Sequence, residues 1–268
     1  MSRNGWLALI YHTLFVTFMV APIFVVCVVA FTPEGYLSFP TERFSLRWFR
    51  AIGDYPEFIT AFWRSVWLGA LSSAIAVGFS VPASLAIARY EFAGREALTA
   101  LLMSPLMIPH VVLGIALLRF FTQIGLGGTL TALVLSHIVL VLPFALRLTL
   151  ASATGFDRSI EQAAISLGAS EATLVRRITL PLIVPGLASG WALAFINSFD
   201  EVTMTVFVSA PGTETLPVRM FLYIQDNIDP LVTSVSASVI AITAVALVLL
   251  DRIYGLERLL VSRGREER

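Results

Sequence analysis

Six long apolar runs limit what this chain can fold into more than any other feature. They cover residues 7–31, 61–88, 98–118, 130–150, 182–208 and 234–254. A helix needs about 20 residues to cross hydrocarbon about 30 Å thick, so each run predicts one membrane span. The expected class is an all-α polytopic membrane protein with six transmembrane helices. Arg3 precedes the first run as in a signal peptide, but the apolar stretch is about 25 residues long against 7–15 for a signal core, so it reads as an uncleaved span.

Composition agrees: 57% of the 268 residues are hydrophobic and 13% charged, about half the usual charged share of a soluble domain. The 18 basic residues are all Arg and balance 18 acidic ones, so there is no electrostatic footprint for nucleic acid. One cysteine, Cys27, and three histidines, His12, His110 and His137, make neither a disulfide framework nor a closed structural metal site within the chain.

An even number of spans puts both termini on one side. With the termini inside, twelve Arg fall on the cytoplasmic side: Arg3, Arg89, Arg95, Arg147, Arg158, Arg176, Arg177, Arg252, Arg258, Arg263, Arg265 and Arg268. Six fall outside: Arg43, Arg47, Arg50, Arg64, Arg119 and Arg219. Cytoplasmic loops carry the positive excess, so both termini are expected in the cytoplasm.

Two loops are long. Residues 32–60 mix Trp48, Phe49, Tyr55 and Phe58 with charges, as in a helix lying at the outer interface, where plain anchoring is the simplest role. Residues 151–181 far exceed the few residues that join neighbouring helices. Within them the pattern predicts a helix over 158–166, a turn at Gly168, an N-cap at Ser170 followed by Glu171, and a stop at Pro181. Ala163 and Ala164 leave one helix face nearly bare, which suits close approach of a partner.

Gln162, Ala163, Ala164, Gly168, Ile178, Leu180 and Pro181 stand at the spacing of the EAA motif, Glu-Ala-Ala, three residues, Gly, nine residues, Ile, one residue, Leu-Pro. The loop resembles the coupling helix of permease subunits of binding-protein-dependent ABC importers. Only the first position departs, with Gln162 in place of Glu and Glu161 one place early. The resemblance implies the type I ABC importer permease fold in a bacterial inner membrane and a single transmembrane domain over 1–268. It places the ATPase-coupling surface on Glu161, Gln162, Ala163, Ala164, Gly168, Ala169, Ile178, Leu180 and Pro181. It also implies a second permease subunit, two ATPase subunits and an extracytoplasmic substrate-binding protein, with the lipid bilayer around them. The chain has no G-x-x-x-x-G-K-[ST] loop, so it is expected to be no enzyme and to hold no cofactor of its own; ATP and Mg belong to the ATPase partner.

The fifth run carries Asn197, Ser198, Asp200 and Glu201. A carboxylate deep in a span costs roughly 2.5–3.5 kcal/mol on insertion scales, so these groups are expected to avoid lipid. In a continuous helix Asn197, Asp200, Glu201 and Met204 share one face, roughly 27 Å from the Leu182 end. The stripe reads as part of a pathway; the alternative is a structural pair bonded to neighbouring helices or to an Arg. Ser198-Phe199-Asp200-Glu201, Pro211-Gly212-Thr213 and Thr215-Leu216-Pro217 look like the permease subgroup of spermidine and putrescine importers. Related importers of iron, opines and aminophosphonates carry similar strings. The resemblance implies a cation pathway of Asn197, Ser198, Asp200, Glu201, His110 and Trp48, although many polyamine permeases have an acidic residue where this chain has His110.

Other polar and special residues read as structural. His137, Arg147, Asp251 and Arg252 are expected in packing or interfacial roles, and Pro105, Pro109, Pro143 and Pro185 as helix kinks. Gly69, Ser72, Ser73 and Ala76 are expected at helix contacts. A secondary transporter would need two repeated halves, and an intramembrane enzyme a catalytic pair. The sequence displays neither.

Overall fold

The computed structural model describes residues 3–254, and every regular element among them is a helix. Arg258, Arg263, Arg265 and Arg268 lie outside the described residues, as do the side chains of Arg3 and Asp251. In chain order the helices are α1 (Arg3–Val29), α2 (Arg47–Ala51), α3 (Pro56–Arg89), α4 (Arg95–Met103), α5 (His110–Gln123) and α6 (Leu130–Gly155). They continue as α7 (Ser159–Ser166), α8 (Glu171–Leu174), α9 (Leu180–Phe199), α10 (Thr205–Val208), α11 (Leu216–Asp226) and α12 (Leu231–Tyr254). Five helical stretches are long and apolar enough to cross a membrane, within α1, α3, α6, the continuous stretch Glu171–Phe199, and α12.

The third apolar run brings the number to six when its bent pair is taken as one span, but its shape differs from a straight helix. It is two helical pieces, Arg95–Met107 and His110–Gln123, bent by 104° at their junction. Ile108 and Pro109 both have extended backbone there. A residue before proline is driven out of helical conformation and proline supplies no N–H, so Pro109 breaks the run rather than kinking it. The fifth run is interrupted as well: α9 ends at Phe199 and helix resumes only in the short α10.

Pro181 does not stop the hairpin's second helix. Val175–Thr179 form a wider π turn in which Leu180 N–H bonds to Val175 O, and the chain passes through it into α9 with Pro181 in the first turn. At that position the missing N–H costs little, because it belongs to the widened turn.

Contacts divide the chain into two compact units, one of the residues up to Ile59 and from Met220 onward, the other Thr60–Arg219. In the first, α1 packs on α12, and Ser234 Oγ donates to Ala30 O at 3.0 Å. Tyr223 meets Phe58 and Tyr55 edge-on. The interfacial segment is short: α2 and one 3₁₀ turn, Ile52–Asp54. In the second unit α6 lies against α9 through small residues. A Cβ added at Gly190 would stand 3.2 Å from Ala145 O, and one at Gly186 would overlap Ser152. Lipid offers apolar side chains as good a solvent as the protein does, so close backbone approach of this kind is what holds membrane helices together. Along α3, Ser72, Ser73 and Ala76 are buried and a Cβ at Gly69 would press on the Phe195 ring, while Ser73 Oγ bonds back within the helix to Gly69 O at 2.6 Å.

Candidate functional site

Two constellations of polar residues stand out in the Thr60–Arg219 unit. The first is the helical hairpin after α6. Asp157 opens it, accepting from Ser159 N–H at 2.9 Å and from Ser159 Oγ at 2.7 Å. These bonds, the backbone one foremost, hold the Asp157 carboxyl below its ordinary range. The turn is closed by Gly168 N–H to Ile165 O at 2.9 Å and Ala169 N–H to Ala164 O at 3.0 Å, with Gly168 at φ +85°. Ser170 then caps α8 by accepting from Thr173 N–H.

The hairpin is tied to the end of α3. Glu161 is buried and pairs with Arg89, while Thr179 donates to the same carboxylate. Arg89 also donates to Thr179 Oγ1 at 2.9 Å, and Arg158 donates to Ala88 O. The position one place before the motif thus supplies the inward carboxylate, whereas Gln162 is exposed. Ala163, Gly168 and Pro181 are also exposed, and Ala164, Ala169, Ile178 and Leu180 are half-buried. The free side carries apolar groups: Leu167 is 88% exposed, and Ile160 and Ile165 are exposed too. Arg89 and Thr179 were not singled out in the sequence, and their signal is slight. Arg89 is one cation at the end of a long apolar run, and Thr179 one hydroxyl between Ile178 and Leu180.

The second constellation surrounds the interruption at 200–204. α9 ends at Phe199 with Asp200 as its C-cap, still bonded through N–H to Ile196 O at 3.1 Å, so Asp200 stays in helical register with Asn197, whereas Glu201 and Met204 lie beyond the helix and do not continue that face. Asp200 is exposed. Glu201 is buried, its Oε1 accepting from Met204 N–H at 2.6 Å and its Oε2 lying 2.9 Å from His110 Nδ1. The bend before α5 is what presents His110 to it. Ser198 Oγ lies 2.7 Å from His137 Nδ1, and His137 Nε2 lies 3.1 Å from Thr205 Oγ1, all three residues buried. Asn197 turns back on its own helix, donating to Leu193 O at 2.8 Å.

Trp48 lies in the other unit. It is 8% exposed, donates its indole N–H to Glu34 O at 2.9 Å, and has the Arg47 guanidinium over its ring. Ser198 beside His137 has the look of a nucleophile and base, but the second imidazole nitrogen meets a hydroxyl rather than a carboxylate and the pair is closed to solvent. No group of three or more metal-ligating side chains occurs among the described residues.

Residues 78–258 match the family of binding-protein-dependent transport system inner membrane components. The chain belongs to this family. It is a transport subunit of the inner membrane, a permease of an ABC importer, with ATP hydrolysis assigned to separate subunits. Similar relatives include the spermidine/putrescine transport system permease protein PotC of Haemophilus influenzae, 30% identical over 94% of this chain and 95% of the relative. The putrescine transport system permease protein PotI of Escherichia coli is 28% identical, covering 89% and 86%. Among solved structures, a bacterial ABC transporter that imports the acidic polysaccharide alginate superposes with a TM-score of 0.70 over 95% of this chain and 99% of that one. At 13% identity this likeness shows the fold, that of the type I importer permeases.

Proposed function

We propose that this permease forms half of the transmembrane pathway for a polyamine or similar small organic cation. A second permease subunit supplies the other half, an extracytoplasmic binding protein delivers the solute, and two ATPase subunits, which bind ATP and Mg, drive its passage. The observation that carries the reading is Asp200: a carboxylate exposed at the place where the helix of a membrane span is interrupted. A carboxylate at membrane depth is costly unless it faces water or a cation, and an ammonium group crossing the bilayer needs an anion to replace its lost hydration. The similarity to permeases named for spermidine and putrescine, over nearly the whole chain, supports the same substrate class.

The importer reconstituted with its partners in proteoliposomes is expected to accumulate labelled spermidine or putrescine in preference to amino acids and metal chelates. Asp200→Asn, which preserves size and hydrogen bonding but removes the charge that would replace the cation's lost hydration, should cut that uptake by about tenfold or more. Uptake of anionic or zwitterionic solutes alone would replace this reading.

The ATPase docks on the exposed face of the hairpin, around Gln162, Ala163, Gly168 and Leu167. That assignment requires both termini and the hairpin in the cytoplasm, as the Arg bias favours. In a Cys27→Ser background, Glu42→Cys is expected to react with a membrane-impermeant thiol reagent in cells whose outer barrier has been opened, and Gln162→Cys to stay unlabelled until the membrane is permeabilised. Both positions are exposed, so access alone decides. The opposite pattern inverts the topology.

A further inference from the structure

Two of the chain's three histidines converge on the five-residue interruption at 200–204, one from each of two neighbouring helices. His137, in α6, touches the last turn before the interruption through Ser198 and the first residue of the helix after it through Thr205. A neutral imidazole has one donor and one acceptor, and a hydroxyl serves as either, so one ring satisfies both contacts and joins the two ends. His110, the first residue of α5, reaches the middle of the interruption. His110 Nδ1 faces Glu201 Oε2 at 2.9 Å, and towards an ionised carboxylate, which only accepts, the imidazole is the donor. The other oxygen, Oε1, accepts from Met204 N–H at 2.6 Å, just before the next helix. The contact is close on the backbone side too: a Cβ at Gly114, one turn along α5, would stand 3.0 Å from Met204 Cα and Met204 O.

We propose that Glu201 is a positioning residue rather than a pathway carboxylate: His110 and Met204 N–H occupy its two oxygens, and with His137 they hold the interruption so that Asp200 alone of the acidic pair faces the pathway. The inference rests on the cation-pathway reading for its consequence, which is specificity: at this point a cation meets one available carboxylate, not two. His110 therefore does not line the route as the acidic residue of many polyamine permeases is expected to. It is the clamp that withdraws one acid from the route.

The test separates this from the substrate assignment by reading accessibility. In the assembled importer, with Cys27→Ser, a small cationic thiol reagent is expected to modify Asp200→Cys at least about tenfold faster than Glu201→Cys, since exposed thiols react and buried ones do not. Adding His110→Ala to Glu201→Cys takes away the side chain that covers position 201 and should raise its rate to near that of position 200, whereas His110→Gln, whose amide still fills the place, should keep it slow. The His110→Gln arm distinguishes clamping from general loosening, because both substitutions remove the imidazole. Equal reactivity of positions 200 and 201 in the His110 background, or identical effects of His110→Ala and His110→Gln, overturns the proposal. Spermidine uptake measured on the same proteoliposomes is scored separately: its absence from the unaltered importer overturns the substrate class and leaves the reactivity ratio to decide the role of Glu201.

Discussion

Replacing Glu161 by alanine is expected to abolish transport while the six apolar runs still insert. The carboxylate sits between Arg89 and Thr179, and the two paired side chains are 10% and 14% exposed. Removing one partner of a pair this buried leaves a charge without compensation, at a cost of about 3–5 kcal/mol. The Thr179 hydroxyl offers Arg89 a fallback acceptor, so the lower end of that range applies. With the pair gone, α7 loses its carboxylate tie to α3, and the Arg158 bond to Ala88 O at its N-cap and the Arg89 bond to Thr179 hold the hairpin less firmly, so it transmits less force. Glu161→Gln should fall between, retaining shape and acceptor capacity without charge. Glu161→Ala with Arg89→Met should recover part of the lost melting temperature, because an apolar pair in place of a buried ion pair is often neutral. Gln162→Glu, which restores the motif's first letter, should change uptake little, since that side chain is exposed. Uptake and the melting temperature of the solubilised importer are the measurements. Normal transport by Glu161→Ala would mean that the pair does not hold the hairpin.

The second large effect is expected at Gly168, and it depends on which side chain is introduced. The residue has φ +85°, where an L side chain costs roughly 1–2 kcal/mol, yet no atom lies within 4 Å of an added Cβ. Gly168→Ala therefore meets only backbone strain and should retain most uptake with a modest melting shift. Gly168→Trp adds bulk to a face that is open in this chain and closed, on the reading above, by the ATPase. Its melting temperature should match that of Gly168→Ala, while uptake and substrate-stimulated ATP hydrolysis fall to background. Equal loss of uptake in both variants would place the effect in the turn itself. Full activity of Gly168→Trp would remove the hairpin as the docking surface.

The spans, the helical hairpin and the glycine turn were legible because each is a local property. Apolar length fixes a crossing, Ser170 caps the helix that follows it, and Gly168 tolerates a conformation other residues resist. Hydropathy is blind to direction, however, so the third run gave no sign of the 104° bend at Ile108 and Pro109 that breaks it. Composition likewise treats residues 182–208 as continuous, although the helix stops at Phe199.

What the sequence alone determined is the class of molecule, because twenty apolar residues have few uses outside a bilayer and the hairpin's spacing is a property of consecutive residues. Which acidic groups are available was decided only by tertiary structure. Glu161 and Gln162 are neighbours in the chain, as are Asp200 and Glu201, and in each pair one side chain is buried and the other exposed. The partners that make the difference, Arg89 for Glu161 and His110 for Glu201, stand 72 and 91 residues away. A carboxylate's role follows from whether its oxygens are already bonded, and that is settled by groups brought near through packing, over distances along the chain that no local pattern records.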